Sequence, residues 1–136
     1  MILRYTIPGK PEPKGSLRFV TKYYAKSDNP NLAPWTAVAQ WMARQALMDA
    51  GQSITNRAVK VSCFFYFKRP KSVKKTEYKI TKPDCDKLLR AVLDSLTGIV
   101  IEDDAQVVAG SYAKYFLDCL GKQYIEPCTQ VILEVL

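Results

Sequence analysis

The chain reads as an α+β fold, a single domain over residues 1–136 with a mixed or antiparallel β-sheet and two main helices packed on it. Three observations lead there. With 136 residues and 48% apolar content, the chain can bury one sizeable core but not two. Two segments repeat apolar residues at the helical period, and five short runs are rich in β-branched and aromatic residues. Their order, β, β, α, β, α, β, β, suits helices covering a sheet, with no internal repeat and no low-complexity tail.

Residues 2 to 8, ILRYTIP, have the composition of a strand, and GKPEPKGS then interrupts regular structure with prolines and glycines. A second strand is expected from Arg18 to Tyr24. After SDNPNLAP, the stretch from Trp35 to Ala50 places Trp35, Val38, Ala39, Met42 and Ala46 on one helical face, and Gly51 supplies a stop. Ala58 to Phe67 reads as a central strand, because almost every residue in it is apolar or β-favouring. RPKSVKKTEYKITKP is a polar, basic loop. In the helix beyond it, Leu88, Leu89, Val92, Leu93 and Leu96 share one side, Asp86, Lys87, Arg90 and Asp94 the other, and Gly98 ends it. Strands are then expected from Gln106 to Phe116 and from Thr129 to Leu136, with a turn around Gly121.

No apolar run approaches the length of a membrane span, and MILRYTIPGK lacks the pattern of a signal peptide, so a cytoplasmic protein is expected. Cys63, Cys85, Cys119 and Cys128 form no CxxC pair, which argues against zinc and disulfides. The chain contains no His, the usual general base near neutral pH. Any hydrolysis must therefore rely on carboxylates and an oxygen-bound metal.

Twenty Lys and Arg against thirteen Asp and Glu give a net charge of +7. Lys10, Lys14, Arg18, Lys22 and Lys26 share their segment with Glu12 alone, and Lys68, Arg69, Lys71, Lys74, Lys75, Lys79 and Lys82 share theirs with Glu77 alone. Each tract is either a solvated loop or a grip on several phosphates, and in the second case binding weakens steeply with salt. The aromatics Trp35, Trp41 and Phe64 to Phe67 are assigned to the core. Tyr23 and Tyr24, beside basic residues, are the candidates for nucleic-acid contact.

Against this basic background, six of the thirteen acids fall between Asp84 and Asp104. Crowded carboxylates repel unless a cation sits among them, and Mg²⁺ takes one or two carboxylates plus substrate phosphates. Asp84 and Asp86 stand at the entrance of the second helix, where the macrodipole favours them even without function, and Thr81 to Asp84 has capping-box spacing. Glu102, Asp103 and Asp104 are either a solvated turn or a second group of ligands, returned to the helix entrance by the strand after the helix. Arg90 stands one turn beyond Asp86, placed for a salt bridge or for charge developing on phosphate. Lys87 can take the same part, and Asp94 is expected to pair with Arg90. Cys85, without a His to activate it, is not expected to act as a nucleophile.

The run KPDCDKLLRAVLDSLTGIVIEDDAQVV resembles the signature of the RusA-type Holliday junction resolvases, the crossover junction endodeoxyribonucleases. PGKPEPKGSLRF, FYFKRPKS and SYAKYF resemble that family's flanking segments in the same order. The resemblance implies a small homodimeric endonuclease, often of phage or prophage origin, that acts in DNA recombination and repair. It cuts four-way junctions by paired incisions with Mg²⁺, one or two ions per subunit, Mn²⁺ being a possible substitute. The family's metal-binding aspartates fall on Asp84, Asp86 and Asp104, with Asp103 as the adjacent acid, and its catalytic lysine falls on Arg90. The family's asparagine after the second aspartate is replaced by Lys87. Arg keeps the charge but cannot give up a proton as Lys can. Lys10, Lys14, Arg18, Lys68, Arg69, Lys71, Lys74, Lys75, Lys82 and Lys87 are the residues expected to hold DNA. Other branched DNA, such as flaps and forks, stays open as a substrate, and so does a junction-binding protein whose chemistry has lapsed.

Overall fold

The computed structural model describes residues 1–15, 17–22, 24–27, 29–74, 76–118 and 125–136, and the side chains of 17–20 and 24–27 are not among those described. The elements run in the order β1 (Ile2–Pro8), β2 (Leu17–Thr21), β3 (Tyr24–Ser27), α1 (Leu32–Asp49), β4 (Val59–Phe67), α2 (Cys85–Leu96), a 3₁₀ turn (Asp104–Gln106), β5 (Val107–Phe116) and β6 (Cys128–Val135). The architecture is α+β, as the order of periodic segments predicts: a four-stranded mixed sheet, β1-β6-β4-β5, carries two helices.

β6 runs antiparallel to both β1 and β4, whereas β5 is parallel to β4. A parallel neighbour needs a crossover, and α2 supplies it in a β4-α2-β5 unit. The central position expected for residues 58–67 holds: eight of the nine β4 residues are buried or half-buried, as a strand covered on both faces requires. Val59, Val61, Phe65, Leu88, Val92, Leu96, Val131 and Leu133 are among the core residues that join strands to helices. Gly110 on β5 lies so close to β4 that a Cβ built there would stand 1.8 Å from the Val61 carbonyl oxygen. Only a glycine lets the two backbones approach in this way.

Two elements depart from expectation. The second strand is a hairpin of two, β2 and β3, paired antiparallel. No Gly or Pro marks the reversal, so the composition alone did not show it. Helix α1 starts at Leu32, with Pro34 inside its first turn, where a missing N–H costs nothing. Its buried stripe is Trp35, Ala39, Ala43 and Leu47, and Val38 turns outward. Trp41 likewise is 61% exposed rather than in the core, because six residues after Trp35 the helix has turned to its other side. Helix α2 keeps closer to its predicted face, with Leu88, Val92 and Leu96 buried and Leu89 and Leu93 packed at the margin. Gly98, at φ 81, receives the chain after the helix and donates its N–H to Ile101 O at 2.7 Å. No helix among the described residues is long and apolar enough to cross a membrane.

Candidate active site

Asp84 occupies the N-cap position of α2, yet its side chain accepts no capping hydrogen bond. The expected box with Thr81 does not form, for the Thr81 hydroxyl instead accepts a bond from Lys79 Nζ at 2.8 Å. The carboxylate is therefore not consumed by the helix end it stands on. Lys87 Nζ reaches it only at 4.0 Å. Asp86, in the first turn, is exposed and makes no ion pair among the described residues.

The turn that delivers these two acids is held from β5. Lys114 Nζ donates to Thr81 O at 2.7 Å and to Pro83 O at 2.8 Å, clasping the residues that lead into Asp84. Its ammonium is close enough to influence the neighbouring Cys85 thiol. That thiol is raised chiefly by desolvation, an effect Asp86 and Asp84 reinforce and Lys114 opposes.

The acidic triplet is built differently. Asp103 caps the 3₁₀ turn, its Oδ1 accepting from Ala105 N at 3.0 Å. Gln106 answers with Oε1, which accepts from Asp103 N at 2.9 Å and Glu102 N at 2.8 Å, while its Nε2 donates to Thr55 O at 2.9 Å and Arg57 O at 2.8 Å. Sequence reasoning missed this stitching role of Gln106, although an acid three residues before a Gln is a capping-box signal. Asp104, adjacent, is exposed. The two carboxyls hydrogen-bond each other, which raises Asp104 above the ordinary aspartate range; the Ala105 amide, then the bond from Asp104, lowers Asp103. Two carboxyls in contact share either a proton or a cation.

Asp104 also feels Asp94 and Arg90, and the 3₁₀ turn that carries it packs against α2. Asp86 and Arg90 are one helical turn apart, about 6 Å along the axis. Asp84 and Asp86 thus stand at the head of the helix, and Asp104 is within electrostatic reach of Arg90, one turn further on. Among the described residues, no three His, Cys, Asp or Glu side chains converge as a metal cage. Asp94 pairs with Lys14 at 3.1 Å instead of with Arg90, which leaves Arg90 without an ion pair among the described residues.

Asp84 lines a cleft of about 500 Å³ with Lys10, Glu12, Lys14, Lys82 and Lys87, walled by Pro11, Pro13, Pro30 and Pro83. The N-terminal loop reaches this place because Lys14 N bonds Lys87 O at 3.0 Å. Lys68, Lys71 and Lys74 are exposed. Arg69 is not open in the same way: 11% exposed, it forms a two-pronged bond with Asp118, donates to the Lys74 and Thr76 carbonyls, and stacks 4.4 Å from the Phe116 ring. Lys75 and Tyr23 lie outside the described residues, as do Cys119, Gly121 and the side chains of Arg18 and Tyr24.

Compared with known families, the chain matches the model described as endodeoxyribonuclease RusA over residues 8–131. No curated protein matches it.

Proposed function

The chain belongs to the RusA endodeoxyribonuclease family, and from that membership we propose that it is a Mg²⁺-dependent, structure-specific endonuclease that resolves four-way DNA junctions by paired incisions. The observation that carries the reading beyond family membership is Asp84: an acid at a helix N-cap, relieved of capping, that opens onto a lysine-rimmed cleft. The macrodipole favours an acid at that place, and with no capping bond to make, the carboxylate stays open as a ligand for a cation facing phosphate.

In this reading Asp84 and Asp86 hold an ion at the head of α2, and Asp104, with Asp103 beside it, offers a second carboxylate pair. Mg²⁺ fills most of its shell with water and phosphate oxygens, so paired carboxylates suit it without a closed protein cage. When bound, such an ion lowers the pKa of its water and shields the leaving oxygen. Arg90, one turn from Asp86 and without an ion pair among the described residues, stabilises charge developing on the phosphate. Exposed lysines on the cleft and on the loop after β4 hold the backbone by charge, and selectivity for a branch comes from shape and phosphate placement. Two copies related by a two-fold axis match the approximate symmetry of a four-way junction, which accounts for paired cuts by a homodimer.

The test is a synthetic four-way junction with Mg²⁺ and then with EDTA, using Asp86→Asn as control. The wild type should cut only with the metal. Asp86→Asn should bind the junction at least as tightly, having lost a negative charge facing phosphate, and should not cut. Undiminished cutting by that variant removes Asp86 from the site. Cuts on flaps or forks but not on junctions would make the protein a nuclease for other branched DNA. Binding without cutting would make it a junction-binding protein, a reading favoured by Arg90 standing in place of a lysine.

A further inference from the structure

Helix α1 carries two apolar stripes, and the fold uses one of them. Trp35, Ala39, Ala43 and Leu47 face the core, while Pro34, Ala37, Val38, Trp41 and Met48 are exposed on the other side. A single exposed apolar side chain is ordinary, but here a Val at 39%, a Trp at 61% and a Met at 65% exposure line up along one helix. A helix apolar on both sides is built to be covered on both.

The spacing of the outer stripe says what covers it. Val38, Trp41, Gln45 and Met48 follow one another at steps of three, four and three, so they take positions a, d, a and d of two heptads. Such a seam packs against a helix with the same repeat. A β-branched residue at a, here Val38, suits a two-stranded contact, and one polar residue at the other a, here Gln45, fixes its register. In this frame Arg44 takes position g and Asp49 position e, on the two flanks of the seam. Both are exposed, Arg44 makes no ion pair among the described residues, and Asp49 is held beside the seam by a bond from Gln45 Nε2 to its Oδ1 at 3.2 Å. When two such helices run parallel, g of one meets e of the other five residues on, so each Arg44 faces an Asp49 of the other copy. When they run antiparallel, g faces g and e faces e, which sets like charges together. Nucleic acid or an anionic membrane surface would call for flanks that are both basic, whereas one Arg and one Asp at this spacing are complementary to a copy of themselves.

We infer that the outer face of α1 is a self-association surface, on which a second copy of this chain seats its own α1 in parallel, Trp41 beside Trp41 and Arg44 opposite Asp49. The inference stands on α1 alone and does not rest on the nuclease reading. α1 is already folded against β1 and α2, so the pairing costs no helix formation. Two heptads bury less than the roughly 800 Å² per partner of a standard stable interface. Association is therefore weak in free solution, and it strengthens wherever copies are held close together.

Sedimentation velocity of the full chain over a concentration series tests the surface. Mass should grow with concentration in the wild type, from whichever species stands at the lowest concentration. Trp41→Ala should move that growth to about tenfold higher concentration, the loss of one aromatic anchor. Arg44→Asp alone and Asp49→Arg alone should each weaken association, and the two together should restore it. These positions are exposed on a helix held by its other face, so thermal melts should match the wild type. Gln45→Cys, under oxidation, should give a disulfide-linked pair much faster than Ala33→Cys, which is exposed but off the seam. A wild type that does not associate overturns the surface, as does association that Trp41→Ala leaves unchanged. Failure of the double charge swap to recover, or equal crosslinking from positions 45 and 33, overturns the parallel pair. If the wild type cuts no junction yet associates through α1 as stated, the nuclease reading fails and this surface stands.

Discussion

Replacing Lys114 with Met isolates the clasp that holds the entrance of α2. The substitution keeps a long apolar stem and removes two charge-assisted bonds, to Thr81 O at 2.7 Å and Pro83 O at 2.8 Å. Bonds of this kind contribute about 1.5–3 kcal/mol each when shielded from water. The Pro83 bond is partly buried and is taken at about 2 kcal/mol; the Thr81 bond is exposed, and solvent competition reduces it to about 0.5–1 kcal/mol. The sum predicts a loss of about 2.5–3 kcal/mol in urea unfolding, and a melting temperature lower by about 10 °C. The larger consequence is local, because the released residues end at Asp84. Measured well below the melting temperature, the variant should need several times more Mg²⁺ for half-maximal cutting, with junction affinity in EDTA nearly unchanged. Lys114→Arg should recover part of the stability, since it keeps the charge but presents a wider fork to two carbonyls. Equal Mg²⁺ half-saturation in Lys114→Met and wild type would refute the positioning role, whatever the stability shows.

Arg90→Lys should remain active and Arg90→Ala should lose most of its cutting rate, whereas equal rates for all three proteins would exclude a part in catalysis for that side chain. Lys10→Ala combined with Lys82→Ala should weaken junction binding and flatten its dependence on salt by about two counterions; an unchanged slope in a salt titration would mean that the cleft does not meet phosphate. Gly110→Ala should destabilise the protein by about 3 kcal/mol, at the upper end for overpacking, since the new methyl meets a backbone oxygen at 1.8 Å and β5 has to move. A thermal melt at the wild-type temperature would show that β5 does not run so close to Val61.

The elements most legible in the sequence were those whose pattern is set by burial. β4 reads as nine consecutive residues fit for a covered strand, and α2 separates its leucines from its charges. Least legible was whatever depends on a partner far along the chain. The pairing of Lys14 with Asp94 spans most of the distance from the N-terminal loop to the second helix, and nothing local to Asp94 distinguishes it from Arg90, its neighbour at the right spacing. Arg69 shows the same limit. In sequence it is one basic residue among seven; in the fold Asp118, two carbonyls and the Phe116 ring surround it.

The placement of the acids is a consequence of the crossover. A helix that links two parallel neighbours begins near the C-terminal end of the first strand and ends near the N-terminal start of the second. Asp84 and Asp86 precede and open α2; Asp103 and Asp104 lie just before β5. Late in β5 stands Lys114, which reaches the turn before Asp84. Gln106 ties the turn that carries Asp103 and Asp104 to the Thr55 and Arg57 carbonyls, and Asp104 comes within electrostatic reach of Arg90. Arg90, one turn beyond Asp86 on α2, is the cation within electrostatic reach of Asp104. An arginine keeps its charge across the whole pH range in which the carboxylates are ionised, so in the proposed reaction it can face a phosphate throughout that range.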